Sequence, residues 1–280
     1  MLKLVDHELC GVGNKCFVIP ENLFLYIIFI EGSHMLRETF YDVFKTNHPV
    51  VTPVIHVLNV MQAARNIELA GTAGAAGVFL INHDFDVDTF LPMIKEVRTR
   101  FPEIWMGVNF LAVTGKLAFP ILAKLEDGGC RIDAYWADDA RILERSFQQL
   151  EAEKIAEIRG HSGWKGLYFG GTAFKKQRPV LSDDFEDAAS RAVPFMDVVT
   201  TSGAATGQQA DLRKILDFRS GASDHALAVA SGITPENVRR YASVDCFLVA
   251  TGINISGDFY NIDRRRLNEL ITITSDMEPG

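Results

Sequence analysis

Between residues 50 and 252, eight short runs rich in Val, Ile and Phe recur, each followed by a longer stretch whose apolar residues return at three- and four-residue spacing. Runs of this kind read as strands and the stretches as amphipathic helices. The strands are expected at 50–58 ("VVTPVIHVL"), 77–82, 104–110, 130–136, 165–171, 196–203, 225–232 and 246–252. Helices are expected at 60–73, 88–100, 114–127, 139–158, 183–192, 208–219, 235–242 and 262–273. Start signals support several of them: Asp88 before "TFLPMI", the run Ser182-Asp183-Asp184, and Thr234-Pro235-Glu236 with proline in the first turn. The strands are apolar throughout rather than alternating, which implies burial on both faces under a cover of helices.

Eight such units define the expected fold class: α/β, a (β/α)8 TIM barrel in a single domain. An open doubly wound sheet is the rival, but no G-x-G-x-x-G follows the first strand. "LRETFYDVF" (36–44) precedes the first unit and is expected to form a helix closing the bottom of the barrel. Ahead of it, Gly32-Ser33-His34-Met35 has the pattern of a cloning junction, so residues 1–34 are expected to be a leader and 35–280 the barrel domain.

The balance of charge narrows the partners. A net charge of −8, with no basic run interleaved with aromatics, argues against nucleic acid. The apolar run from Leu23 to Ile30 is too short to span a bilayer. Four cysteines, Cys10, Cys16, Cys130 and Cys246, lack paired or zinc-ligand spacing, which fits reduced thiols in a cytoplasmic protein.

A barrel builds its site from the carboxyl ends of its strands. The seventh and eighth strands end in Ser231-Gly232 and Thr251-Gly252, small residues where barrels commonly hold phosphate on backbone amides. The same residues would equally serve tight turns. The sixth strand adds "TTSGAATG" (200–207), which brings Gly203, Thr206 and Gly207 to that rim; Gln208-Gln209 after Gly207 excludes a Walker loop. Asn82 and Asn109 end the second and third strands as ligand-lining candidates. For proton transfer the candidates are His56, Asp84 and Asp138, with the neighbouring Asp139 also open. His83-Asp84 and Asp138-Asp139 could instead be turn or helix caps. A metal held by His56, His83 and Asp84 lacks any supporting motif, so neither metal nor cofactor is expected. Lys165 and Lys175 flank the fifth strand; Lys165 lies at its wrong end, and Lys175 reads as a solvated or anion-contacting charge.

The segments "VIHVL" (54–58), "GVNFL" (107–111), "DVVTTSGAATG" (197–207), "SGITPENV" (231–238) and "DCFLVATG" with "GDFYNIDRRRL" (245–267) resemble the BtpA family over most of residues 36–272. The resemblance implies a cytoplasmic barrel related to phosphate-binding barrels, from a family associated with photosystem I biogenesis or found beside sugar metabolism. It implies site-lining positions at His56, Asn82, Asn109, Gly203, Thr206, Gly207, Ser231, Gly232 and Gly252. Two departures stand out. "NVMQAARN" (59–66) replaces the family's Pro/Gly-rich loop, and Ile81-Asn82 replaces its Glu-Asn.

The function expected from these readings is an enzyme acting on a phosphorylated small molecule, a sugar phosphate or nucleotide-like compound, by lyase, isomerase or glycosyl-bond chemistry. The alternative is a noncatalytic assembly or stability factor for a protein complex. Self-association into a homo-oligomer is left open.

Overall fold

The computed structural model describes residues 35–280 together with three short strands, Lys3–Val5, Glu8–Cys10 and Cys16–Val18. Those strands pair antiparallel as a sheet within a separate unit, residues 1–34. The rest of the leader reading lies outside the described residues.

Residues 35–280 form a closed barrel of eight parallel strands: β1 (Val50–Val57), β2 (Val78–Asn82), β3 (Met106–Asn109), β4 (Ala134–Ala137), β5 (Leu167–Gly171), β6 (Val198–Ser202), β7 (Leu227–Ala230) and β8 (Cys246–Val249). The helices are α1 (Arg37–Phe44), α2 (Val60–Ala73), α3 (Val87–Arg100), α4 (Gly115–Asp127), α5 (Leu150–Ser162), α6 (Phe185–Ala192), α7 (Leu212–Ala222) and α8 (Arg264–Ser275). Each strand pairs with its sequence neighbour, and β8 closes on β1 with Phe247 opposite Val51.

Strand alternation sorts the core into two. Ile55, Leu80, Val108 and Tyr135 face outward and pack under the helices. Val54, Phe79, Ile81, Trp136, Phe169 and Leu248 face inward and fill the barrel. From α1, fully buried Phe40 enters the inner cluster and meets Phe169 edge-on at 6.4 Å. Helix α1 therefore stops the bottom of the barrel, where Asp245, itself inaccessible, accepts from Arg37 Nε (2.7 Å), the Tyr41 hydroxyl (2.8 Å), an Arg219 terminal nitrogen (2.5 Å) and Leu227 N (2.9 Å).

Three local expectations need correction. The helix expected over 139–158 begins only at Leu150. Asp139 accepts from Arg141 N at 2.8 Å and Arg141 has φ 63°, a turn that no helix accommodates. In place of a helix over 235–242 there is a single 3-10 turn, Val238–Tyr241, because β8 starts five residues later. The cap of α3 is Asp86, whose carboxylate accepts from Thr89 N at 2.9 Å, rather than Asp88.

Candidate functional site

Above the inner cluster, at the carboxyl ends of the strands, lies a cavity of about 50 Å³ that opens to solvent. His56, Asp138, Thr206, Gly207, Ser231 and Thr251 line it, so half of the residues singled out from the sequence come together. His83, Trp136, Lys175 and Lys176 join them.

His56 is the last inward residue of β1 and 5% exposed. Its Nδ1 lies 2.9 Å from the carbonyl oxygen of Phe259, in the loop after β8, and its ring stacks on the Phe259 ring at 3.8 Å between centroids. A carbonyl only accepts, so Nδ1 carries the hydrogen and Nε2 is left as the basic nitrogen of the neutral ring. Burial pushes the His56 pKa down to about 4, against the opposing pull of the Phe259 carbonyl. His83 meets His56 edge-on at 4.8 Å and is also shifted down by burial and by Lys176. The loop behind Phe259 is held from α2: Gln62 Nε2 donates to the carbonyls of Tyr260 (2.6 Å) and His56 (3.2 Å), and Asn66 Nδ2 donates to Tyr260 O (2.6 Å).

Across the mouth, Asp138 follows β4 and accepts from Asn109 Nδ2 at 3.0 Å. Burial raises the Asp138 pKa, while the Asn109 bond and the Lys175 and Lys176 charges pull it down. Lys175 is half-buried, and burial lowers its pKa. Neither Lys175 nor Lys176 is ion-paired with a described carboxylate. The backbone of this loop is fixed by Lys175 N donating to Ser202 Oγ (2.8 Å) and by Lys214 Nζ donating to Ala173 O (2.6 Å) and Ser202 O (2.8 Å).

The glycine turns serve close packing. A Cβ on Gly232 (φ 69°) would sit 2.2 Å from the Gln209 backbone, one on Gly203 2.2 Å from Gln208 O, and one on Gly252 1.8 Å from Ile233 O. The turns after β7 and β8 thus lie side by side, the Ile233 carbonyl packing against the Gly252 α-carbon where a side chain would sit. Ser231 has φ 110°, a strained conformation for a residue with a side chain. Its hydroxyl accepts from Gly203 N (3.2 Å) and donates to Gln208 O (3.3 Å), stitching the β6 and β7 loops together. Gly207 and Thr251 approach each other across the rim, a Cβ on Gly207 standing 3.5 Å from Thr251 Oγ1.

The remaining sequence candidates do not line the cavity. Asn82 is committed to the protein, donating to Phe85 O (2.7 Å) and accepting from Leu111 N (3.0 Å). Asp84 is exposed and accepts from the Tyr260 hydroxyl. Among the described residues, no group of three or more His, Cys, Asp or Glu is disposed to hold a metal ion. No described helix is long and apolar enough to cross a membrane.

No protein-family model and no curated protein matches the sequence. Solved structures do. The mutant tryptophan synthase α-subunit from Pyrococcus furiosus matches at TM-score 0.56 and 12% identity, over 81% of this chain and 99% of that one. Phosphoribosyl anthranilate isomerase from Thermus thermophilus matches at 0.53 and 12%, over 80% and 96%. (S)-3-O-geranylgeranylglyceryl phosphate synthase from Thermoplasma acidophilum, solved with sn-glycerol-1-phosphate, matches at 0.53 and 14%, over 86% and 98%. Identity this low establishes the fold alone: residues 35–280 are a (β/α)8 barrel.

Proposed function

We propose that this barrel is an enzyme that binds a phosphorylated small molecule, a sugar phosphate or nucleotide-like compound, in the cavity at the carboxyl ends of its strands. The observation that carries the reading is the pairing, in one cavity, of two lysines without carboxylate partners and a neutral histidine opposite a half-buried carboxylate. Lys175 and Lys176, with the Thr206 and Thr251 hydroxyls, hold the phosphate. Gly203, Gly232, Gly252 and Ser231 shape the rim. His56 Nε2 takes a proton and Asp138, its pKa raised, gives or takes one across the ligand. The ligands named for two structural neighbours, phosphoribosyl anthranilate and sn-glycerol-1-phosphate, support the choice of ligand class. The likeness of the strand endings to BtpA proteins supports it further. A reducing, cytoplasmic setting belongs to the same proposal, on the ground that Cys130 and Cys246 are buried free thiols.

The test is thermal unfolding with inorganic phosphate and a panel of phosphorylated sugars and nucleotides. Saturation a hundredfold above the dissociation constant stabilises the native state by about 2.7 kcal/mol. Lys175→Gln and Lys176→Gln should each weaken binding about tenfold or more, since a charge-assisted hydrogen bond contributes about 1.5–3 kcal/mol. No shift with any phosphate compound defeats the reading and leaves the noncatalytic assembly role.

A further inference from the structure

Two polar atoms on the inner face of the barrel are buried and find no hydrogen-bond partner among the described residues: Nε1 of Trp136, which lines this cavity, and Oδ1 of Asn109, which lies on the next strand just outside the lining. Both belong to the inward-facing set. Asn109 and Trp136 stand on adjacent strands, one step beyond the paired Val108 and Tyr135, so their side chains leave the sheet side by side on the inner face. Trp136 lines the cavity, and its ring is wedged edge-on against Phe79 (6.0 Å) and Phe174 (5.8 Å), which fixes where the N–H points. The Asn109 amide is equally fixed. An ionised carboxylate only accepts, so the NH2 faces Asp138 and the oxygen faces away. Asn109 is fully buried and Trp136 is 4% exposed.

Burying a donor and an acceptor without partners costs the hydration of each, and such groups are rare in native interiors. The Tyr168 hydroxyl is also without a partner, but it faces the helices rather than the cavity. Trp136 and Asn109 are different because an indole N–H and an amide oxygen, on neighbouring inward positions of β4 and β3 at the edge of one cavity, are complementary to a group that accepts and donates at once. A hydroxyl does both. A fully ionised phosphate monoester, a carbonyl or a methylene does not.

Resting on the phosphate reading above, we infer that Trp136 Nε1–H and Asn109 Oδ1 form a hydroxyl-reading subsite, so that the ligand is a phosphorylated polyol whose hydroxyl-bearing carbon descends toward β3 and β4 while its phosphate stays at Lys175 and Lys176. The same placement brings that carbon beside Asp138, which Asn109 holds, and makes Trp136 and Asn109 specificity-determining residues.

Titration calorimetry with sn-glycerol-3-phosphate and D-ribose 5-phosphate against inorganic phosphate and n-propyl phosphate tests this. The polyol phosphates should bind at least tenfold more tightly than n-propyl phosphate, and Trp136→Phe should erase that preference while leaving affinity for inorganic phosphate within twofold. Equal affinity for n-propyl and polyol phosphates overturns the subsite and leaves the phosphate reading standing. Binding of none of them removes both. Should Trp136→Phe not fold, the indole 15N–1H resonances of the unaltered protein decide. The Trp136 signal should move with glycerol phosphate and not with n-propyl phosphate, while Trp164, bonded to Ile132 O at 3.2 Å, stays put. A Trp136 signal indifferent to both overturns the inference.

Discussion

The Tyr260 hydroxyl donates to the Asp84 carboxylate over 2.6 Å, tying the loop after β8 to the loop after β2 across 176 residues of sequence. Phe259, which stacks on His56, is the residue next to this tether. Asp84→Asn and Tyr260→Phe should therefore cost little stability, under about 1 kcal/mol for an exposed pair. Both should loosen the imidazole. The measurement is the 15N and 13C signals of the His56 ring, expected to broaden or shift in both variants; unchanged ring signals would show that Phe259 holds His56 without help from the tether.

A buried histidine with its pKa near 4 has a defined effect on stability. The folded form resists the proton, whereas the unfolded chain accepts it near 6.5. Above that value both states are neutral and His56 contributes nothing to the pH dependence. As pH falls from about 6.5 to about 4, the unfolded state gains by roughly 3 kcal/mol, and the loss levels off below. Urea midpoints at pH 7 and pH 4 for the unaltered protein and His56→Gln should show the difference shrinking in the variant. Any activity resting on His56 as a base should persist down to about pH 4 to 5, since Nε2 keeps its lone pair there.

At the opposite end of the barrel, Asp245→Asn removes the charge that faces Arg37 and Arg219. Leaving those guanidiniums without their buried partner should cost about 3–5 kcal/mol, visible as a lower denaturant midpoint. Phosphate affinity should stay within twofold, because this network lies at the foot of the strands and the cavity at their carboxyl ends. A large loss of affinity at unchanged stability would contradict that separation.

Gly252→Ala places a methyl group where the Ile233 carbonyl stands. The turn after β7 must shift, at a cost of about 1–3 kcal/mol of the kind overpacking brings. Gly74→Ala is the comparison: it has the positive φ of 82° but open space around the new methyl. Thermal unfolding should show Gly252→Ala as the more destabilised of the two, and the displaced rim should weaken phosphate binding only in Gly252→Ala.

The strands were legible because burial on both faces writes long apolar runs; seven of the eight expected runs contain the observed strand, and the fourth falls one residue short, at Trp136 where the strand ends at Ala137. Helix starts were less so. Asp139 looks like a cap, yet its carboxylate turns the chain at Arg141 and delays α5 by eleven residues from the expected start. His56 and Asp138 could be found because alternation from a strand's apolar inner residues points them into the mouth; the same alternation through Ala134, Trp136 and Asp138 would have found Trp136 too. Lys175 and Lys176 depend on a loop with left-handed residues at Ala173 and Lys176, and no spacing rule records that. Phe259 and Tyr260 reach the site from some two hundred residues away, a distance over which sequence pattern carries no signal. Gly232 and Gly252 read as a phosphate cradle from their positions; what the structure adds is that neighbouring backbone packs where a side chain would sit at each.

The Gln62 and Asn66 amides that hold the Tyr260 carbonyl also set an order of events during synthesis. The first strand and helix leave the ribosome some two hundred residues before the loop they grip, so His56 waits, without its stacking partner or its hydrogen-bond acceptor, until nearly the whole barrel has been made. Orientation of the His56 imidazole is thus a late acquisition of this chain, and any truncation before residue 262 should yield a nascent product in which the histidine is present but not oriented.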